Sequence, residues 1–258
     1  MLFEKLPKKK LLLIALASLN AQFVLATDSK PHPWKDQPSF EPSYVVTIAA
    51  GPIWANPGET QILFLAPNIE KAYIPDNSSQ VLAEGELFFG LVRSLSPSFQ
   101  GQLGVAIAAT NNAVLTGVIW DDAFYMFDNY LYQYKLNHTH IALKGKLLAN
   151  QTYFVTPWVS ASLGVAFNQA QDYFDTPIIP EAVTNPAFDY NIKTAFTYTL
   201  GAGIQKNLTN QIQVGIGYEF SDWGASQLGV APSQTLNSGL RLGHFYTSGV
   251  TINASYLF

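Results

Sequence analysis

Apolar side chains recur at every second position along eight segments of this 258-residue chain. Between positions 211 and 222, for example, Ile212, Val214, Ile216, Tyr218 and Phe220 alternate with small or polar residues. A period of two places successive side chains on opposite faces of a β-strand. Because a slip of one residue would move every apolar side chain to the wrong face, such persistent alternation predicts strands with one apolar face and one small or polar face.

The connections between these segments alternate in length. The predicted strands cover about residues 44–54, 80–95, 99–110, 131–148, 153–168, 193–206, 211–222 and 236–258. Short connections at 95–98, 149–152 and 207–210 alternate with long ones at 55–79, 111–130, 169–192 and 223–235. Outer-membrane barrels have short periplasmic turns and long external loops. The pattern therefore predicts an all-β fold: a single antiparallel up-and-down transmembrane β-barrel of about eight strands, with long extracellular loops.

The composition favours lipid over water around this barrel. Aromatic residues make up 14% of the chain and charged residues 12%, where soluble domains usually have roughly 25% charged residues. After residue 26 no apolar run reaches the ~18 residues of a helical span, and a closed barrel is the other structure that satisfies the backbone inside lipid. Composition alone leaves a soluble β protein open.

The first 26 residues have the pattern of an export signal. Lysines at positions 5 and 8–10 precede an apolar run at 11–19, and Val24-Leu25-Ala26 is a small-residue cleavage site. A transmembrane anchor is the alternative, but Asn20 and Gln22 interrupt the run before it reaches the roughly 20 residues of a span. We predict a signal peptide at 1–26 that is cleaved after Ala26, a flexible periplasmic segment at 27–43 and the barrel domain at 44–258.

The charge and the lack of cysteine exclude several classes of function. Without residues 1–26 the chain has 10 Lys and Arg against 17 Asp and Glu, a net charge of −7. An acidic chain without a basic stripe is a poor nucleic-acid binder. The absence of cysteine excludes disulfides, thiolate metal sites and cysteine nucleophiles.

The chain ends on an aromatic residue, in Tyr256-Leu257-Phe258. This ending, the export signal and the strand pattern resemble the small eight-stranded outer-membrane barrels of the OmpA-transmembrane-domain and OmpW-like superfamily, over about residues 44–258. The resemblance implies a Gram-negative outer membrane, contact with its lipid and lipopolysaccharide, and Tyr256 and Phe258 as the signal for the barrel-assembly machinery. The peptidoglycan-binding domain of full-length OmpA has no counterpart after the barrel, so cell-wall anchoring is not implied.

Charged and imidazole side chains share the inward-facing parity. An eight-stranded barrel is just wide enough inside for side chains to fill it or for one small ligand, and a buried carboxylate needs a partner. We predict a structural polar network in the lumen, with Glu219 pairing with Arg241 near the outer end; a histidine gate is the alternative. Small inward residues such as Gly203 and Gly217 leave a narrow OmpW-like channel open. The predicted network is Glu84, Glu86, His138, His140, Lys144, Glu219 and Arg241.

The candidate catalytic and metal-binding groups are incomplete. His244 has the lipid-face parity of a lipid A deacylase, but Tyr246 stands where the serine would be needed. The acidic pair Asp121-Asp122, which an outer-membrane protease would combine with a histidine, has none nearby. His138 and His140 have no evident third metal ligand. We therefore predict no enzyme, no metal and no cofactor.

Aromatic residues concentrate in the predicted outer loops and at the strand ends. Because loops carry binding residues and aromatics are enriched at interfaces, we predict a structural or adhesin-like role towards host or matrix surface molecules. The alternatives are that loop aromatics pack on one another, and that the protein is a narrow passive channel for small or hydrophobic solutes. The loop set is Tyr73, Trp120, Phe124, Tyr125, Phe127, Tyr130, Tyr173, Phe174, Phe188 and Tyr190; the strand-end set, predicted to form interfacial girdles, is Tyr44, Trp54, Phe99, Tyr132, Tyr153, Phe167, Phe220, Trp223 and Tyr256.

Overall fold

The computed structural model describes residues 43–149 and 155–258. Within them, no helix is long and apolar enough to cross a membrane. The predicted signal peptide with its cleavage site at Ala26, nearly all of the 27–43 segment and Tyr153 lie outside the described residues. The strands are β1 (Ser43–Ala55), β2 (Gln61–Ala66), β3 (Ile69–Pro75), β4 (Gln80–Ser96), β5 (Phe99–Thr110), β6 (Ala113–Asp121), β7 (Asp128–Ala149), β8 (Thr156–Pro177), β9 (Asn191–Asn207), β10 (Ile212–Asp222), β11 (Ser226–Gln227), β12 (Arg241–Leu242) and β13 (Tyr246–Leu257).

Eight of these strands form a closed ring. Their order is β1-β4-β5-β7-β8-β9-β10-β13, every pairing is antiparallel, and β13 returns to β1 with Val46 opposite Tyr256. Closure removes the free strand edges that an open sheet would leave in lipid. The predicted all-β barrel of eight strands is confirmed.

The residues on the ring alternate as the sequence predicts. Ile216 on β10 and Ile252 on β13 are paired across the strands and exposed, whereas Glu219 and Thr251 are buried. Exposed isoleucine and buried glutamate reverse the usual distribution of a soluble protein. This reversal is expected of a barrel whose outer surface contacts lipid tails and whose interior is polar.

The long connections contain further strands. β2, β3 and β6 continue the sheet outward from β7 in the order β2-β3-β6-β7, and β7 and β8 have 22 residues each. The connections at 55–79 and 111–130 are long, as predicted, but they contain β-strands that were not predicted. Tyr73 on β3 lies opposite Ile119 on β6, and both are almost fully buried, so burial against residues distant in sequence stabilises these strands.

The main apolar core lies over the outer mouth of the ring. It joins Ile53 and Leu82, near the outer ends of β1 and β4, to Tyr73 and to Leu240 and Phe245 of the segment that precedes β13. The same segment covers the outer edge of β2, where Asn237 Oδ1 accepts a hydrogen bond from the Phe64 amide at 2.7 Å and the Leu65 carbonyl accepts one from Thr235 at 2.9 Å. The barrel thus carries a structured outer layer.

Candidate functional site

Lys144 on β7 is at the centre of the charged group in the lumen. Its Nζ donates to Glu86 Oε1 at 2.6 Å, to Glu86 Oε2 at 2.9 Å and to Glu219 Oε1 at 3.0 Å. All three side chains are only 8–11% exposed. Buried charges persist when they are paired and hydrogen-bonded, so one ammonium group here satisfies two carboxylates that come from opposite sides of the ring. Among the described residues the Glu84 carboxylate, which also points inward, makes no hydrogen bond to this group.

Arg241 does not belong to the lumen. It lies on β12 in the outer layer and is exposed, with its backbone nitrogen and oxygen bonded to the Gln61 side chain at 2.9 and 2.6 Å. The predicted pairing of Glu219 with Arg241 was therefore wrong, because Glu219 contacts Lys144 instead. The reason is that β13 begins only at Tyr246. Alternation between residues 236 and 245 lies outside the ring strand, so it does not indicate which of these side chains face the lumen.

His138 and His140 form a separate hydrogen-bonded pair nearer the outer mouth. His138 Nδ1 lies 2.7 Å from Asn168 Oδ1, and His138 Nε2 lies 2.9 Å from His140 Nδ1. Asn168 Nδ2 donates to the carbonyls of Trp223 and Ala225, both at 2.8 Å, so its Oδ1 is left to accept from His138. In the neutral pair His138 therefore carries its proton on Nδ1, and His140 donates its own Nδ1 proton to His138 Nε2. The predicted network thus consists of two separate groups.

Trp223 lies across the outer end of the lumen. Its ring is stacked on His138, with centroids 4.2 Å apart and an interplanar angle of 4°, and Phe245 meets it edge-on at 4.7 Å. The next residue, Gly224, has a φ of +71°, which suits glycine. A Cβ at this position would overlap the Phe196 carbonyl. Trp223 is fully buried, so its predicted place in a girdle was wrong.

The other strand-end aromatics divide by parity. Tyr132 faces inward and is 5% exposed, so its predicted girdle position was also wrong. Exposed side chains at the ends of the ring strands fit the interfacial level of a membrane. They are Tyr44, Trp54, Phe99, Phe167, Phe220 and Tyr256.

Trp158 on β8 fills the lumen towards the periplasmic end. A Cβ on Gly203 would lie 2.6 Å from its ring, and one on Gly217 would overlap it. Lys146 Nζ lies 4.5 Å from the ring centroid, a cation–π distance, and donates to Gln205 Oε1 at 2.7 Å. The small inward residues Gly203 and Gly217 therefore leave room for the indole ring of Trp158. Trp158 was not predicted as a lumen residue, although it shares the inward parity of Thr156 and Ser160.

A small cavity remains between Trp158 and the Lys144 group. About 30 Å³ is open to the centres of water molecules, which is room for two or three waters at ~10–15 Å³ each. Gln102, Trp158 and Ser160 turn buried polar atoms without a protein partner towards it, a polar lining suited to water. At the periplasmic end, Phe88 and Val92 belong to a buried apolar cluster. Side chains thus fill most of the lumen.

Residues 124–127, here called the outer tip, project from the β6–β7 turn. Their side chains, Phe-Tyr-Met-Phe, are 45, 65, 68 and 47% exposed. Two consecutive turns fix them, since the Phe124 amide donates to the Asp121 carbonyl at 3.1 Å and the Phe127 amide donates to the Phe124 carbonyl at 2.9 Å. The Asp121 carboxylate accepts from Asn129 at 2.7 Å and pairs with Lys71, which anchors the base of the outer tip.

His244 lies at the outer rim, on the lipid-facing side. Its Nδ1 is 2.7 Å from Asp222 Oδ2, and its ring is stacked on Tyr246. Asp222 also accepts from the Gly224 amide at 2.8 Å. His244 is thus hydrogen-bonded to the carboxylate of Asp222, whose side chain is only 6% exposed. Over residues 43–149 and 155–258, no three His, Cys, Asp or Glu side chains are grouped so as to hold a metal ion.

The closed ring, the apolar outer surface and the polar filled interior define an outer-membrane β-barrel. No protein-family model matches the chain, and no curated protein matches it in sequence. Solved structures match it in fold. The surface protein NspA of Neisseria is 11% identical to this chain, and the match covers 84% of this chain and 97% of that chain with a TM-score of 0.42. The outer-membrane protease OmpT from Escherichia coli is 9% identical (86% and 99% covered, TM-score 0.46), and Ail of Yersinia pestis, crystallised with the heparin analogue sucrose octasulfate, is 10% identical (83% and 99% covered, TM-score 0.34). At such identities the likeness concerns the fold alone.

Proposed function

We propose that this barrel is a surface-interaction protein of the outer membrane and that its partners bind the outer layer. The observation that carries the proposal is the outer tip, where four consecutive large apolar side chains are exposed. Outside a lipid-facing surface such as that of the ring, contiguous exposed apolar surface is rare on proteins that bind nothing. Two backbone hydrogen bonds form turns within the outer tip, and a preformed turn lowers the conformational entropy that binding would cost.

The contents of the lumen support this function over a narrow passive channel. Trp158, the Lys144 group and Trp223 occupy successive levels of the barrel, and the cavity left between them is about 30 Å³. Pockets for small molecules usually measure ~300–1,000 Å³. Glu86, Lys144 and Glu219 then have a structural role, as does the His138–His140 pair. The proposal involves no catalysis.

Export and assembly are part of the same proposal. We infer cleavage after Ala26 and recognition of the last strand by the barrel-assembly machinery. Phe258 stacks on Tyr44 at 5.9 Å between ring centroids and lies equally far from Tyr256, so both terminal aromatics face outward beside the first strand. Truncating Phe258 and finding unchanged amounts of folded protein in the outer membrane would contradict this role.

The surface function can be tested on whole cells. Cells displaying the wild-type barrel should attach to a matrix or host-cell layer, and the double variant Tyr125→Ser/Met126→Ser should lose that attachment because its apolar contact area is gone. Ile62→Ser is a matched control, since Ile62 is 54% exposed on β2, away from the outer tip. Heat-modifiable gel migration would confirm equal amounts of folded barrel. Equal attachment by the wild type and the double variant would refute the proposal.

A further inference from the structure

The two segments that contain the outer tip and the β8–β9 connection are acidic. Segments 121–134 and 172–192 contain no Lys, Arg or His. Over the same two segments there are seven carboxylates, a strong imbalance for an exposed surface whose charges are normally mixed. They are Asp121, Asp122, Asp128, Asp172, Asp175, Glu181 and Asp189.

These carboxylates divide into paired and unpaired ones. Asp121 pairs with Lys71 and Asp172 with Lys135. Asp175 is 5% exposed and is bonded by Asn185 at 2.6 Å. By contrast, four exposed carboxylates have no ion pair in the part of the chain that the structure describes; one of them, Asp189, accepts a hydrogen bond from the Tyr190 amide at 2.8 Å, and the other three lie closer to the outer tip. These are Asp122 and Asp128, which flank the outer tip in sequence, and Glu181.

Glu181 is brought close to the outer tip by the β8–β9 connection. The Ile178 amide donates to the Asn129 carbonyl at 2.9 Å, and the Tyr130 hydroxyl donates to the Val183 carbonyl at 3.1 Å. Residues 178–183 therefore run beside the base of the β6–β7 hairpin. Ile178 and Val183 are 49 and 79% exposed, so they add exposed apolar side chains beside the base of this hairpin, and Glu181 adds an exposed carboxylate there.

We propose that the outer tip binds a protein surface with an apolar centre and a basic rim. This inference rests on the proposed surface function and names the chemistry of the partner. Protein interfaces combine an apolar, aromatic core with a polar rim, and opposite charges across the rim steer association. A lipid partner is disfavoured because insertion of residues 124–127 would bring Asp122 and Asp128 up to the headgroups, and a negatively charged lipid surface would repel them. A second copy of this chain would bring like charges together.

The partner chemistry can be tested with synthetic peptides and the mature barrel in nanodiscs. The probes are an amphipathic Leu/Lys peptide and its Leu/Glu counterpart. The proposal expects binding of the Leu/Lys peptide, weakened roughly tenfold or more by Tyr125→Ser/Met126→Ser and unchanged by Ile62→Ser. Asp122→Asn/Asp128→Asn should slow association and reduce its salt dependence.

Each other outcome overturns the inference. Equal binding of the Leu/Glu peptide, unchanged binding by the Tyr125→Ser/Met126→Ser variant, or binding of zwitterionic vesicles in place of the peptide would refute a basic-rimmed protein partner. Cell attachment separates the two proposals. If the double variant abolishes attachment while the barrel does not discriminate between the peptides, the partner class is wrong and the surface function stands. If attachment survives the double variant, the surface function itself fails.

Discussion

Replacing Lys144 by methionine removes the only cation that bonds Glu86 and Glu219 within the described residues. Methionine has similar length, so the main loss is the charge and its three hydrogen bonds, at 2.6, 2.9 and 3.0 Å. All three side chains are at most 11% exposed, and solvent screening is therefore slight. Breaking a buried pair by removing one partner typically costs about 3–5 kcal/mol. We expect a loss of that size in the free energy of unfolding.

The loss can be measured by urea unfolding of the barrel in lipid vesicles, followed by tryptophan fluorescence and gel migration. Lys135→Met is the matched control: its pair with Asp172 has a similar N–O distance of 3.0 Å, but its side chains are 38 and 56% exposed, so we expect less than about 1 kcal/mol. The triple variant Lys144→Met/Glu86→Gln/Glu219→Gln should recover most of the loss, because no buried charge is then left alone. Equal losses for the two lysines, or no recovery in the triple variant, would refute the reasoning.

Three further predictions follow from the packing and the charges. Gly217→Ala should destabilise the barrel by roughly 1–3 kcal/mol, because its methyl group would overlap Trp158, whereas Gly85→Ala, with no atom within 4 Å of the added carbon, should have little effect in the same unfolding assay. Trp223→Ala should leave planar-bilayer recordings as silent as those of the wild type, because Trp158 and the Lys144 group still fill the lumen below it; discrete conductance steps in the variant would show that Trp223 alone closes the barrel. Burial raises the pKa of the Asp175 carboxyl, so the outer layer should lose stability as the pH rises from the ordinary aspartate pKa through the raised one; hydrogen exchange should find this pH dependence absent in Asp175→Asn.

The ring strands were predictable from sequence because lipid constrains every second residue. On β10 and β13 the inward side chains face a polar lumen and the outward ones face lipid, so the alternation persists over the whole strand. Examples are the inward Glu219 and Thr251 and the outward Ile216 and Ile252. Where the chain leaves the ring, the constraint ends. Parity misplaced Arg241 for this reason, since the bend before β13 is not visible in the alternation.

The partners inside the lumen were less predictable than the faces. Alternation indicates that Glu219 points inward, but the stagger between strands sets its height, and that stagger brings it to Lys144 on β7. β2, β3 and β6 were missed for a related reason. Their buried side chains, such as Tyr73 and Ile119, pack against residues distant in sequence, and no short-range pattern encodes those contacts.

The ring and the main apolar core lie in two different solvents: the ring is surrounded by lipid, and the core lies in the outer layer, which is surrounded by water. Around the ring the outward apolar side chains contact lipid tails instead of an apolar core of the protein, and the hydrogen-bonded closure satisfies the backbone there. The cluster of Tyr73, Leu240 and Phe245 lies in the outer layer, where water makes the hydrophobic effect available. If this layer opens while the ring stays in the membrane, that local opening should show the positive heat-capacity change of an apolar core exposed to water, and cooling should weaken the outer layer while the ring stays intact.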